Sequence, residues 1–159
     1  MNTKAIYAGT FDPITNGHLD IIERASKLYD TLYIVIFDNV NKHCLFTLEE
    51  RLDLIKKTTS HLNNVVIDHS DLLAVEYAKK IDCQVLVRGL RATKDFEYEL
   101  EMALSNQYLD DSVDMVFLMT KPQYQFISSS NIKEIASHNH SVENLVPKIV
   151  EEALYKKFK

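Results

Sequence analysis

The feature that most restricts the fold is an unbroken apolar run at Leu32–Phe37. A strand that is apolar at every position must be covered on both faces, which is typical of parallel sheets in α/β proteins. The sequence therefore predicts a buried parallel strand here. Other mainly apolar segments predict four more strands, at Ala5–Ala8, Val65–Ile67, Val85–Val87 and Val113–Met119.

Segments with helical patterns lie between and after these strands. Apolar side chains from Leu19 to Tyr29 follow helical spacing. The motif Thr47-Leu48-Glu49-Glu50 is a capping box, which predicts a helix from there to about Ser60. Further helices are predicted near residues 73–80, 95–108, 130–137 and 147–158. This alternation predicts a doubly wound α/β fold with a five-stranded parallel sheet, in a single domain over residues 1–159.

Composition and charge exclude several classes of function. The formal net charge is −5, which argues against a broad nucleic-acid interface. No apolar run reaches the roughly 18–20 residues that span a bilayer, and the N-terminus does not fit a signal peptide. The two cysteines, Cys44 and Cys83, lack metal-site spacing and fit a reducing compartment. We therefore expect a cytoplasmic protein with neither a nucleic-acid nor a membrane partner.

Four segments with residues suited to ligand binding follow predicted strands. The carboxyl ends of parallel strands lie at one edge of a sheet, and ligands of such folds bind beyond that edge. We therefore expect the four segments to converge on one ligand site. They are Gly9–His18 after the first strand, Asn39–Phe46 after the second, Arg88–Arg91 after the fourth and Lys121–Ser130 after the fifth.

The segment after the first strand has the residues of a phosphate site. Gly9 at the strand end lets a ligand approach the backbone. Gly17 and His18 open a helix, whose amides and dipole favour an anion. The alternative is structural: Asp12-Pro13 makes a turn, Asn16 caps the helix and His18 lies on the surface. Neither the dinucleotide fingerprint nor the Walker A loop occurs, so a nucleotide site would need another way to hold phosphates.

Basic residues follow the second and fourth strands. Lys42 offers a mobile point charge that suits a phosphate. Arg88 and Arg91 flank a glycine at the mouth of a buried strand, where an arginine needs an anion. Each also has a simpler interpretation. Lys42 would be a solvated surface lysine, and the arginines would pair with carboxylates of the next helix, namely Asp95, Glu97 or Glu99.

Serine hydroxyls precede the helix predicted at 130–137. In the sequence Phe126-Ile127-Ser128-Ser129-Ser130, hydroxyls and free amides at a helix start form a second anion site. The alternative is that Ser129 or Ser130 only caps the helix. The six histidines have no metal-ligand spacing, and no Ser-His-Asp or G-x-S-x-G arrangement occurs. The residues thus predict phosphate binding without a nucleophile and without a metal site built from protein ligands.

Taken together and in order, these segments resemble one known family, the phosphopantetheine adenylyltransferases of the H-x-G-H nucleotidyltransferase superfamily. The similarity extends along the whole chain. It rests on Gly9-Thr10-Phe11-Asp12-Pro13 with Thr15-Asn16-Gly17-His18, then Arg88-Gly89-Leu90-Arg91, Asp95-Phe96-Glu97-Tyr98-Glu99 and Ile127-Ser128-Ser129-Ser130. The resemblance implies a Rossmann-like nucleotidyltransferase fold and transfer of an adenylyl group from ATP to 4′-phosphopantetheine, giving dephospho-coenzyme A and pyrophosphate. It also implies Mg²⁺ and a homohexamer.

The resemblance further implies roles for single residues. Thr10 and His18 correspond to the pair that contacts the reacting phosphate and are the implied catalytic residues. The implied ATP site comprises Thr10, Phe11, His18, Gly89, Leu90, Arg91, Glu99, Tyr124, Gln125, Phe126, Ile127, Ser128, Ser129 and Ser130. The implied phosphopantetheine site comprises Thr10, Lys42, Leu73, Ala74 and Arg88.

Three positions depart from the pattern. Thr15 stands where the superfamily has its first histidine, Ala8 where proline is common, and Lys133 where some relatives have arginine. None of these departures removes a phosphate ligand. Two alternatives stay open. One is another nucleotidyltransferase of the superfamily, acting on nicotinamide mononucleotide or a phospho-alcohol, and the other is a non-catalytic nucleotide sensor.

Overall fold

A five-stranded parallel sheet organises the chain, of which the computed structural model describes residues 2–37, 39 and 41–159. The strands lie in the order β3-β2-β1-β4-β5. Their bounds are β1 Lys4–Gly9, β2 Thr31–Phe37, β3 Val65–Ser70, β4 Val85–Leu90 and β5 Asp114–Met119. The strand order reverses between β1 and β4, and in such sheets ligands bind at this switch point.

Six α-helices are present in the described part of the chain. They are α1 Asn16–Ser26, α2 Leu48–Thr58, α3 Ala74–Lys80, α4 Thr93–Leu109, α5 Ser129–Ser137 and α6 Lys148–Phe158. A single 3₁₀ turn at Pro122–Tyr124 precedes α5. None of the helices described is both long and apolar enough to cross a membrane.

The core lies on both faces of the sheet, as a doubly wound fold requires. Ile34 and Ile36 of β2 pack on one face, in a cluster that includes residues of α1, α2, α5 and α6. Val35 packs on the other face with Ile6 and residues of α3. Complete burial of one such side chain contributes about 1.5–3 kcal/mol. The continuous apolar run of β2 is therefore covered on both faces, as the sequence predicted, and contributes side chains to both cores.

The prediction for the end of the fourth strand was wrong in one respect. Arg88, Gly89 and Leu90 were expected in a loop, but β4 continues through all three. They pair in register with β5, opposite Phe117, Leu118 and Met119. This ladder satisfies the backbone groups, and the polar side chain of Arg88 is accommodated because it lies at the ligand edge of the sheet.

Candidate active site

The predicted convergence of segments is present at the carboxyl edge of the sheet. The Cβ that an alanine would place at Gly17 would lie 3.7 Å from Cβ of Tyr124, so the start of α1 adjoins the stretch before α5. Hydrogen bonds also join the ends of the strands and the segments that follow them. They run from Arg88 to Ala8, from Arg91 to Ile127, from Lys42 to Thr10 and from Ser129 to Pro13.

His18 is the third residue of α1 and is fixed by the cap of that helix. Thr15, not Asn16, is the N-cap, and its hydroxyl accepts from the His18 backbone amide. In return the Thr15 N–H donates to Nδ1 of the imidazole over 3.0 Å. Because Nδ1 accepts a hydrogen bond, the ring proton must be on Nε2. The capping box thus selects the His18 tautomer in which Nε2 carries the proton and can donate a hydrogen bond.

The surroundings keep His18 uncharged. The half-buried ring packs edge-on against Phe11, with ring centroids 5.0 Å apart. Burial lowers the pKa of His18 to about 3, and the nearby charges of Arg91 and Arg88 act in the same direction. His18 is therefore a neutral hydrogen-bond donor at neutral pH and not a cation. The alternative of a surface histidine is wrong.

Arg88 pairs with the carboxylate of Glu99, as its simpler interpretation predicted. Its Nε lies 2.9 Å and its Nη2 2.7 Å from Glu99 oxygens, and Nη1 donates to the Ala8 carbonyl over 2.7 Å. Glu99 is buried, and both of its oxygens accept from Arg88. Within the described residues, one N–H on Nη1 and one on Nη2 of Arg88 have no partner and can bind a ligand. The assignments of Arg88 to the acceptor and of Glu99 to ATP stay predictions.

Arg91 makes the equivalent pair with Asp95 and joins two segments of the site. Nε of Arg91 lies 2.9 Å from the Asp95 carboxylate. Nη1 donates over 2.8 Å to the carbonyl of Ile127 in the stretch before α5. Arg91 thus holds the end of β4 next to residues 124–130, the stretch predicted to bind ATP.

The stretch from residue 124 to 130 has more structural roles than the sequence indicated. Ser128 is the N-cap of α5, so the proposed caps Ser129 and Ser130 are both inside the helix. The Ser129 hydroxyl donates to the Pro13 carbonyl over 2.8 Å. Ile127 is buried, whereas Phe126 is largely exposed. The roles of these residues toward ATP, with those of Tyr124, Gln125, Gly89 and Leu90, stay predictions.

Asp12 holds several segments of the site together, although its sequence context indicated only a turn. Its buried carboxylate accepts from the backbone amides of Leu45 and Phe46, each over 2.9 Å. It also accepts from Lys133 over 2.7 Å. Burial alone would raise the pKa of Asp12, but Lys133 and the two amides hold it below its usual value. One carboxylate thereby ties the loop after β1 to the loop after β2 and to α5.

The predicted acceptor residues are only partly gathered. Nζ of Lys42 lies 3.4 Å from the Thr10 hydroxyl, and both residues line a cavity of about 400 Å³. Leu73, the N-cap of α3, and Ala74, its first residue, are not among the described residues that line this cavity. Arg51 does line this cavity. In the sequence, only its place in the predicted helix after the capping box could have indicated this.

The carboxylates of the site are already occupied by protein donors. Asp12, Asp95 and Glu99 bind lysine, arginine or backbone groups. Among the described residues no group of three or more His, Cys, Asp or Glu side chains could hold a metal. The described residues of the site therefore offer Mg²⁺ no group of free carboxylates. This ion usually keeps several waters and binds through substrate phosphates.

Comparisons with known proteins agree with this fold. A family model described as cytidylyltransferase-like matches residues 6–135. A solved structure from Vibrio parahaemolyticus, described as a nicotinate-nucleotide adenylyltransferase, superposes with a TM-score of 0.74. It covers 98% of this chain and 99% of its own at 17% identity, which shows a shared fold alone.

Closer relatives are similar over nearly their whole length. A phosphopantetheine adenylyltransferase of Dictyoglomus turgidum is 49% identical, over 98% of this chain and 98% of its own length. One of Dictyoglomus thermophilum is 48% identical, over 98% and 94%. One of Nautilia profundicola is 47% identical, over 92% and 96%. This chain therefore belongs to the phosphopantetheine adenylyltransferase family of nucleotidyltransferases.

Proposed function

We propose that this chain transfers the adenylyl group of ATP to 4′-phosphopantetheine, giving dephospho-coenzyme A and pyrophosphate. The observation that carries the proposal is the convergence of His18, Thr10, Lys42, Arg88 and Arg91 at the carboxyl edge of the sheet. All five are groups that bind phosphates. None is a nucleophile activated by a neighbouring base, so the site suits direct transfer between two phosphate-bearing substrates.

The reaction needs positioning more than acid–base chemistry. A phosphate oxygen of the acceptor attacks the α-phosphorus of ATP, and the bond to the pyrophosphate oxygen breaks. A phosphate monoester is already an anion at neutral pH, so no base has to remove a proton. The protein must hold two anions that repel each other and must stabilise the charge that develops between them.

His18 is the residue that we assign to the developing charge. Its tautomer presents an Nε2–H donor, because Nδ1 is occupied by the Thr15 amide. A neutral donor fixed before the reaction needs no reorganisation as charge develops. Loss of one such donor typically raises a barrier by about 2.7–4 kcal/mol. Thr10, in the turn between β1 and α1 beside Lys42, is assigned to the same phosphate.

The remaining site residues are divided between the two substrates. We assign to the acceptor Thr10, Lys42, Leu73, Ala74 and Arg88. We assign to ATP Thr10, Phe11, His18, Gly89, Leu90, Arg91, Glu99 and residues 124–130. Arg91 supports this division, because its bond to Ile127 links it to the stretch before α5.

Mg²⁺ is part of the proposal as a companion of the ATP phosphates. When bound there, it neutralises phosphate charge. The described carboxylates offer it no site of their own, since Lys133, Arg91 and Arg88 occupy them. We therefore expect Mg²⁺ to enter with the nucleotide. The protein side chains named above bind and orient the two substrates.

The assembly proposed is a cytoplasmic homohexamer, in which residues 1–159 act as one domain. An apolar stripe on α4 supports contact between copies of the chain, since Phe96, Leu100, Leu104 and Tyr108 recur every four residues and are exposed. The number of six copies is what the family resemblance implies. Leu104→Glu should lower the mass measured by light scattering from six copies to fewer. Leu28→Glu, at an exposed leucine outside α4, is the matched control and should leave the mass unchanged.

The decisive assay measures pyrophosphate release from ATP in the presence of Mg²⁺. Wild-type protein should release pyrophosphate with 4′-phosphopantetheine and stay near background with nicotinamide mononucleotide or a phospho-alcohol. His18→Ala should lower turnover roughly 100- to 1000-fold and change ATP affinity far less. A folded wild type without phosphopantetheine-dependent release would refute the activity. A variant with normal turnover that only needs more ATP would refute the role of His18.

A further inference from the structure

A positively charged cavity lies beside Thr10, and the family resemblance accounts for only part of it. The cavity of about 400 Å³ lies between the loop after β1, the loop after β2 and the first turn of α2. Lys42 and Arg51 both line it. No Asp or Glu is among the described residues that form its wall. Two cations thus face one small space whose described lining contains no anion.

Lys42 is exposed to solvent, whereas Arg51 is buried. Its side chain is 9% exposed, on the first turn of α2. Nη1 donates to the Thr10 carbonyl over 3.0 Å, and Nε makes a long contact of 3.4 Å to the Thr47 carbonyl. A guanidinium has five N–H donors. Within the described residues the other three make no hydrogen bond, and Arg51 has no carboxylate partner.

The other two arginines of the site differ in this respect. Arg88 is neutralised by Glu99 and Arg91 by Asp95. A buried charge is unfavourable unless it is paired, and only Arg51 among these three lacks a protein anion in the described part of the chain. Its position is fixed, because the bond to the Thr10 carbonyl holds the guanidinium at the turn that follows β1.

We propose that Arg51 binds the phosphate of the acceptor substrate, together with Lys42. Both cations reach Thr10 from different elements, Arg51 at its carbonyl and Lys42 at its hydroxyl over 3.4 Å. A dianionic phosphate between them would supply the missing anion, and the guanidinium fork can bind two phosphate oxygens at once. The inference rests on the proposed function for the identity of the acceptor and adds a residue that the motifs did not indicate.

Calorimetric titration with two acceptors separates contact with the phosphate from a structural role. The probes are 4′-phosphopantetheine and pantetheine, which differ only in that phosphate. The measured quantity is the ratio of their affinities. Arg51→Gln should lower this phosphate preference about 10- to 100-fold, the range for a charge-assisted hydrogen bond. Lys56→Gln removes an exposed charge of the same helix outside the cavity and should leave the preference unchanged.

Each outcome decides the proposal. Equal weakening of both acceptors by Arg51→Gln would mean that Arg51 only supports the loop, and would overturn it. Absence of any phosphate preference in wild type would overturn it too. If Arg51→Gln does not fold, Arg51→Lys decides, since it keeps the charge but loses the fork. A fall in phosphate preference supports the proposal, and an unchanged preference overturns it. Failure of wild-type pyrophosphate release, with the phosphate preference intact, would refute the activity and leave the anion site standing.

Discussion

His18→Gln isolates the effect of one half-buried, uncharged imidazole on the pH dependence of folding. Glutamine is a favoured third residue of a capping box, so its carbonyl can take over the hydrogen bond from the Thr15 amide. Its amide group can still donate into the site. The substitution therefore keeps the local geometry and removes the titrating group.

The magnitude follows from the difference between the folded and unfolded pKa values of His18. The unfolded pKa lies near 6.5, and in the folded protein burial and the charges of Arg91 and Arg88 lower it to about 3. Between these values the unfolded state binds the proton and the folded state does not, so wild-type stability falls as the pH falls. At about 1.36 kcal/mol per pKa unit, lowering the pH from about 7.5 to about 5 removes about 2 kcal/mol.

This loss hardly depends on the folded pKa, provided that it stays below about 4. Urea unfolding of wild type and His18→Gln at both pH values gives four free energies. Wild type should lose about 2 kcal/mol more than the variant on acidification. His140→Gln, which removes an exposed histidine, should behave like wild type. An identical pH dependence of wild type and His18→Gln would show that the folded imidazole titrates normally, and would refute the neutral-donor argument.

Three further outcomes are expected. Lys42→Ala should weaken binding of the acceptor more than of ATP in calorimetry, because Lys42 lies in the loop after β2 and lines the cavity assigned to the acceptor phosphate; equal losses would contradict the division of the site. Asp12→Asn should lower the free energy of unfolding in urea by about 1–3 kcal/mol, because it breaks the ion pair between the buried Asp12 carboxylate and Lys133. An unchanged urea midpoint would argue against the role of Asp12 in holding the loops after β1 and β2 together. Gly9→Ala should lower the same free energy by about 1–3 kcal/mol, since the added methyl would lie 2.9 Å from the buried Phe11 ring. Gly17→Ala, whose methyl would meet nothing closer than 3.5 Å, should be neutral in the same measurement.

The sequence by itself determined the class of fold and the edge of the sheet at which the site lies. Period and composition are local properties, so the unbroken run Leu32–Phe37 predicted a strand covered on both faces. The capping box at Thr47 predicted the start of α2, and the structure confirms it. Because parallel strands end at a common edge, the chain order of strands and polar segments also predicted which segments converge.

Only the tertiary structure decided which partner each charged side chain has. The sequence motifs indicated Arg88 and not Arg51, yet Arg88 faces Glu99 and Arg51 faces a cavity without a carboxylate in its described lining. The pKa of His18 depends on burial and on two arginines some seventy residues away in the chain. Electrostatic energies vary with distance and solvent access. Local spacing can thus predict the elements and their order, whereas distances between residues far apart in the chain decide which of the predicted groups are free to bind a phosphate.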